Sequence, residues 1–149
     1  MSEEKQFCTF YLDGHFFGVG VETVQEVFRY QEMTHIPLAP PEIRGLINLR
    51  GQVITAIDLR QRLKMDKLPE GQLPMNVVVR TGDSVVSLLV DEIGDVLEVP
   101  DNVYERPPET IPEEVRKLVH GVYKLEGKLL LILDAEKAVN VDTSPVVAS

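Results

Sequence analysis

Histidine and cysteine, the side chains most often used for metal binding and nucleophilic catalysis, are few in this chain. His15, His35 and His120 each lack a second ligand at the spacing of a metal site. Cys8 alternates with aromatic residues and has no positively charged neighbour that would lower the pKa of its thiol. We therefore interpret all four as structural or surface residues, and predict no catalytic residue and no metal site.

One segment contains the glycines and the lysine of a phosphate-binding loop. The stretch from Gly121 to Lys128 is one residue too long for that motif, and Leu129 stands where a serine or threonine is needed. The related segment in the first half of the chain has Gln52 in place of the lysine. These departures favour a structural role, so the sequence predicts no cofactor.

Charge and composition exclude several classes of partner. The 149 residues carry a formal net charge of −9, which nucleic acid and anionic membranes would repel. The first residues lack the pattern of a signal peptide, and no apolar run approaches the about 20 residues needed to span a bilayer. The single cysteine is typical of a reducing compartment. We expect a cytoplasmic protein with no nucleic-acid partner and no direct insertion into the membrane.

Two segments of the chain repeat each other at a constant spacing. Gly45, Gly51 and Asp58 recur in the second half, with the same separations, as Gly121, Gly127 and Asp134. The earlier part of each half repeats at a shorter spacing, at which Val24 and Val27 recur as Ile93 and Val96. An insertion between residues 107 and 118 would account for the difference. Such a repeat predicts two similar modules.

The repeated elements are short strands joined by glycine turns. About five strands per half, with a few helical turns, indicate an all-β fold of two small five-stranded barrels in tandem. The polar segment Lys64–Pro74 separates a first module at about 13–73 from a second at about 75–139, and the strand 5–12 is a candidate for sharing between them. Residues 140–149 are expected to be a disordered tail. Strand 128–133 is apolar on both faces, so we expect the other half or a partner to cover one face.

The segment Ile43–Gly51 (Ile-Arg-Gly-Leu-Ile-Asn-Leu-Arg-Gly), followed by Ile57-Asp-Leu-Arg60, resembles the hallmark of the CheW family of chemotaxis coupling proteins. The resemblance extends from about residue 5 to residue 139 in one register. It includes Phe17–Val19 with Val24–Val27, Val90–Val96, and Gly121 with Leu129–Leu133. One departure is Thr55, which stands where the family often has proline.

This resemblance implies a non-enzymatic adaptor built from two intertwined SH3-like five-stranded barrels. Such proteins link the cytoplasmic tip of methyl-accepting chemoreceptors to the regulatory domain of a chemotaxis histidine kinase, within arrays at the membrane. The sequence leaves open whether copies of the chain associate with one another in rings. It also leaves open an adaptor role in a non-flagellar chemosensory pathway, and, as a different class, a small-ligand-binding β-barrel.

The resemblance also assigns residues to two surfaces. The kinase-facing surface is expected to include Val24, Glu26 and Gly45. Two of these assignments have a structural alternative, since the spacing of Val24 also suits a core position, and the match of Gly45 to Gly121 suits a backbone requirement.

The receptor tip is expected in a groove between the modules, near Leu49, Arg50, Val77, Val78 and Ser87. Val77 and Val78 are adjacent in a strand and must point to opposite faces, so at most one lies in the core of its own barrel. Arg50 lies at a hairpin tip, where the alternative is a solvated charge.

Overall fold

The computed structural model describes residues 4–100 and 104–141. Of the tail expected to be disordered, only Asn140 and Val141 fall within these ranges, and that prediction otherwise lies outside the described residues. The elements follow one another along the chain in this order: β1 (Glu4–Leu12), β2 (His15–Gly20), a 3₁₀ turn (Val21–Thr23), β3 (Val24–Phe28), β4 (Ile43–Leu49), β5 (Gln52–Asp58), α1 (Leu59–Arg62), β6 (Met75–Thr81), β7 (Ser84–Val90), β8 (Glu92–Pro100), β9 (Tyr104–Glu105), α2 (Glu113–Arg116), β10 (Val119–Leu125), β11 (Lys128–Leu133) and α3 (Ala135–Val139).

Local sequence explains where these elements begin and end. Asp13-Gly14 joins β1 to β2 with φ of 48° and 79°, as a tight two-residue hairpin requires. Asp58 and Asp134 cap α1 and α3, because each carboxylate accepts a hydrogen bond from the backbone N–H three residues later. At Pro41 the chain makes a simple turn. There the N–H of Ile43 donates to the carbonyl of Pro40, and β4 begins at once.

The strands form two sheets, which confirms the all-β prediction of two intertwined five-stranded units. The first sheet has the order β8-β1-β2-β11-β10, extended by the two-residue β9, and the second has the order β3-β6-β7-β5-β4. Each sheet combines strands from both halves of the chain: β8 pairs with β1, and β3 pairs with β6. The boundary near residue 74 therefore divides the two sequence repeats, but it does not divide one sheet from the other. The extent of each module stays a prediction.

The two repeat spacings found in the sequence reappear in the strand pairing. Phe17 lies opposite Leu131 in the parallel pair β2–β11, and their equivalents in the repeat, Val86 and Thr55, lie opposite each other in the parallel pair β7–β5. The antiparallel pairs obey the same rule, since Cys8 lies opposite Val96 and their equivalents Val77 and Val27 are also partners. The repeat is thus a true structural pseudo-symmetry, with β3 and β8 exchanged between the two sheets.

Among the described residues, buried apolar side chains form three clusters. The largest lies between the two sheets and draws on both, with Phe10, Phe17, Val77, Leu88 and Leu131 among its members. Two smaller clusters lie on the other faces, one around Phe7, Tyr123 and Leu130 on the first sheet, the other around Ile47, Ala56 and Leu89 on the second sheet.

Strand β11 shows how this arrangement uses both faces of one strand. Leu131 and Leu133 contribute to the cluster between the sheets, whereas Leu130 and Ile132 contribute to the cluster of the first sheet. The second sheet therefore covers one face of β11, as its continuous apolar sequence predicted.

Candidate functional site

Two of the predicted interface residues meet in one ion pair. The guanidinium of Arg50 donates two hydrogen bonds to the carboxylate of Glu26, with Nη1–Oε2 and Nη2–Oε1 distances of 2.8 and 3.0 Å. Such a bidentate contact fixes the relative orientation of both groups. The family resemblance assigned these residues to different partners, and the structure places them in direct contact.

The turn between β4 and β5 presents the guanidinium. Arg50 and Gly51 have φ of 53° and 84°, and the side-chain oxygen of Asn48 accepts a hydrogen bond from the N–H of Gly51 at 3.1 Å. A left-handed conformation costs a residue such as arginine about 1–2 kcal/mol. The turn thus keeps an arginine in an unfavourable backbone conformation and directs its side chain toward β3.

The ion pair also connects the two edges of the second sheet. Glu26 lies on β3 at one edge of this sheet, and Arg50 lies at the turn that ends β4 at the opposite edge. The sheet must therefore curl until its edges approach. The Arg50 side chain is 75% exposed, so the pair contributes only about 0.2–1 kcal/mol to stability and acts mainly on geometry.

Gly45 lies beneath a crossing segment of backbone. A Cβ at this position would lie 2.5 Å from the carbonyl oxygen of Thr34. That same carbonyl accepts a hydrogen bond from the N–H of Leu46, and the N–H of Thr34 donates to the carbonyl of Leu46, both at 2.8 Å. Gly45 is therefore required for a structural reason, since a larger residue would collide with the backbone at Thr34. Any part that Gly45 has in kinase binding would act through this segment.

Val24 and Glu26 have different surroundings on β3. Val24 pairs with Val79 and packs at the edge of the cluster between the sheets, whereas Glu26 pairs with Val78 after a bulge in β3. Val24 is half-buried. Part of its side chain packs against the core and part stays accessible, so the structure is compatible with both the core role and the interface role.

The residues expected in the receptor groove divide into two groups. Arg50 is exposed and Leu49 is half-buried beside it, whereas Val77, Val78 and Ser87 are at most 1% exposed. In this conformation the side chains of those three residues cannot contact a partner. Val77 is covered by the first sheet and Val78 lies on the opposite face of β6, as adjacent strand residues must.

Comparisons with known proteins agree with this architecture. The sequence model of the CheW-like domain family matches residues 6–142 of this chain. The chain is 29% identical to the chemotaxis protein CheW of Bacillus subtilis, over 94% of this chain and 90% of the relative, and 30% identical to that of Treponema pallidum, over 91% and 82%. The crystal structure of the scaffolding protein TtCheW from Thermoanaerobacter tengcongensis superposes with a TM-score of 0.83 at 29% identity, covering 94% of this chain and 95% of that one.

The chain belongs to the CheW-like family. It is therefore a chemotaxis coupling adaptor and not an enzyme. The two intertwined barrels inferred from the resemblance match the fold of the related scaffolding protein.

One exposed residue of this CheW-like chain was not singled out from its sequence. Leu38 is 92% exposed and has a φ of 64°, which is unfavourable for a leucine. It lies in the segment between β3 and β4, where three nearby prolines favour a loop but give no reason to select the leucine. An exposed apolar side chain on a strained backbone is a reason to suspect a functional role.

The remaining reactive side chains of the CheW-like chain have ordinary environments. Burial, with a smaller contribution from the charge of Glu22, raises the pKa of the Cys8 thiol and keeps it protonated. His120 lies 3.5 Å from Asp134 and forms an ion pair when protonated. Within residues 4–100 and 104–141, no group of three histidine, cysteine or acidic side chains is placed to hold a metal ion. No helix in those ranges is long and apolar enough to cross a bilayer.

Proposed function

We propose that this adaptor binds the regulatory domain of a chemotaxis histidine kinase through the surface around Glu26, and a chemoreceptor tip through the surface around Arg50. The observation that carries the proposal is the bidentate ion pair between these two residues. Residues that the family resemblance assigns to two partners are hydrogen-bonded to each other, so an adaptor could sense both partners at one contact.

The contact provides a physical route for coupling. A partner that draws the Arg50 guanidinium away leaves Glu26 without its two donated hydrogen bonds, and a partner that engages Glu26 frees Arg50. Each partner then alters the free energy with which the other binds, and such couplings are typically about 1–3 kcal/mol. Because Arg50 is 75% exposed, the pair is weak enough to exchange partners.

The other assigned residues act indirectly in this proposal. Gly45 supports the segment at Thr34, and Val77, Val78 and Ser87 shape the second sheet from within. Leu49 and Leu38 are accessible enough to contact a partner directly. The association of the protein with membrane receptor arrays would follow from binding to the chemoreceptor.

Calorimetric titration with the kinase regulatory domain from the same genome tests the first interface. Saturable binding that is lost in Glu26→Lys supports the proposal, and wild-type affinity in that variant would contradict it. Glu105→Lys is a matched control, because it reverses the charge of one residue in another exposed ion pair. This pair joins Lys124 and Glu105 (3.4 Å) and lies on the other sheet. The control should bind as the wild type does.

A charge exchange separates two ways in which the pair could act. The double variant Glu26→Arg with Arg50→Glu restores an ion pair of reversed direction. Recovery of kinase binding would mean that the pair acts by holding β3 and the hairpin together. Continued loss would mean that the kinase contacts the Glu26 carboxylate itself.

A further inference from the structure

A pair of polar side chains is buried in the middle of the second sheet. Asn76 on β6 and Ser87 on β7 are both fully buried. The Ser87 hydroxyl donates to the side-chain oxygen of Asn76 at 2.7 Å, and the Asn76 amide nitrogen donates to the backbone carbonyl of Arg29 at 3.0 Å. Together these bonds form a chain from β7 through β6 to the residue that follows β3.

The first sheet does without such a chain at the equivalent place. In the repeat, Phe7 and Gly18 occupy the positions of Asn76 and Ser87, and Phe7 packs against Tyr123 with ring centroids 5.4 Å apart. Apolar packing therefore satisfies this fold at these positions. Burying an amide and a hydroxyl costs free energy unless their hydrogen bonds are made, so the second sheet has a polar pair that folding alone does not require.

The pair acts on the strand that carries Glu26. β3 is an edge strand that, among the described strands, pairs with β6 alone, and this pairing is already interrupted by a bulge between Val24 and Glu26. The Arg29 carbonyl, just after β3 ends, accepts from Asn76. Because this carbonyl can only accept, it fixes the amide with its nitrogen toward β3 and its oxygen toward Ser87, whose hydroxyl then donates to it.

We propose that Asn76 and Ser87 are positioning residues, which hold the end of β3 so that Glu26 stays over the β4–β5 turn in the geometry that a partner binds. The inference rests on the proposed function of the Glu26 surface. It gives Ser87, which the family resemblance associated with the receptor groove, an action through the backbone of β3.

The test is the double variant Asn76→Leu with Ser87→Ala, which removes both polar groups and keeps the number and branching of the side-chain heavy atoms at residue 76. Replacing both partners of a buried hydrogen bond with apolar groups can be nearly neutral for stability. We expect a folded protein whose affinity for the kinase regulatory domain falls about tenfold, equivalent to about 1.4 kcal/mol. Hydrogen exchange of the backbone amides between residues 26 and 34 should become faster. Wild-type affinity with unchanged exchange would overturn the proposal.

Thr9→Val is the matched control. The buried Thr9 hydroxyl donates to the carbonyl of Asp95 at 2.5 Å, on β8, the edge strand of the first sheet that corresponds to β3. This variant also removes a buried hydrogen bond to an edge strand and should leave kinase affinity unchanged. An equal loss of affinity in the control would mean that general loosening, and not the position of β3, lowers affinity.

Two further outcomes keep the inferences apart. If the double variant does not fold, Ser87→Ala alone leaves the asparagine amide in place but removes the hydroxyl that donates to its oxygen, and should raise exchange at the same amides to a smaller extent. If the wild-type protein fails to bind any kinase regulatory domain, the proposed function fails. The exchange experiment would still decide whether the pair positions β3.

Discussion

At the scale of single residues, backbone conformation distinguishes a position that the fold explains from two positions that it does not explain. Gly45 has a structural cause, since the carbonyl of Thr34 occupies the space of a side chain. Leu38 and Arg50 are the opposite case, because each holds a positive φ that a glycine would adopt more easily while its side chain projects into solvent. An unfavourable residue at such a place motivates the hypothesis that its side chain serves a partner and not the fold.

Gly45→Ala should lower the free energy of unfolding more than Gly127→Ala. Gly127 also has a positive φ (80°), but a Cβ there would meet nothing within 4 Å, so its replacement adds only the conformational cost of about 1–2 kcal/mol. At Gly45 the clash with Thr34 is added to that cost. Urea denaturation of both variants measures the difference. Equal losses in the free energy of unfolding would show that the segment at Thr34 moves aside at no cost.

Leu38→Gly should leave the protein as stable as the wild type or stabilise it by up to about 1 kcal/mol, because glycine adopts this φ without strain. Partner binding should nevertheless weaken, since the exposed apolar side chain is lost. Thermal unfolding and calorimetric titration on one preparation test both effects. Unchanged binding to both the kinase domain and the receptor tip would remove Leu38 from the interface.

At the scale of elements, one buried arginine ties four segments together. Arg60 in α1 donates from Nε and Nη2 to Asp91, between β7 and β8, at 2.8 and 2.6 Å, and from Nη1 to the carbonyl of Asp66 at 2.8 Å. The N–H of Asp13, in the β1–β2 turn, donates to the same Asp91 carboxylate. Hydrogen bonding to Asp91 raises the pKa of Arg60, although burial opposes this. The equivalent positions in the other half are Glu136, Glu22 and Gly82, which cannot form this cluster.

Arg60→Leu should therefore destabilise the protein by at most about 3–5 kcal/mol, because the largely shielded Asp91 carboxylate would keep only the hydrogen bond from the N–H of Asp13. Side-chain exposures of 9% and 14% show that this pair is largely, but not fully, shielded from solvent. The double variant Arg60→Leu with Asp91→Leu should recover part of the loss. Denaturant unfolding of both variants tests this, and a loss below about 1 kcal/mol in the single variant would show that the pair behaves as an exposed one.

At the scale of the whole molecule, exchange of strands makes the two barrels one structure. β3 and β8 each complete the sheet that contains strands of the other half, and the largest apolar cluster draws on both sheets. Neither half can bury its apolar residues without the other. The adaptor is thus expected to present both binding surfaces on a single rigid body.

We expect thermal unfolding to show one transition, with the calorimetric enthalpy equal to the van't Hoff enthalpy. Leu131→Ala, which removes a side chain between the two sheets, should lower the temperature of that transition without splitting it. Two separate transitions in the wild-type protein would show that the barrels unfold independently and that the shared cluster is a weak interface.

Sequence alone determined the local features of this protein and its family. The repeated glycine and aspartate pattern, the glycine turns, the capping aspartates and the apolar pattern of β11 each depend on residues close together in the chain. The Asn-Leu-Arg-Gly hairpin and the trailing Asp-Leu-Arg carry the family resemblance for the same reason.

Tertiary structure alone decided which half supplies each strand and which assigned residues reach the surface. Backbone hydrogen bonds are the same in every strand, so two similar repeats leave β3 equally able to pair within its own half or with β6. Burial of the shared core makes that choice. The same choice buries Val78 and Ser87 and brings Glu26 into contact with Arg50. These residues are far apart in the sequence, so their positions in it do not predict such contacts.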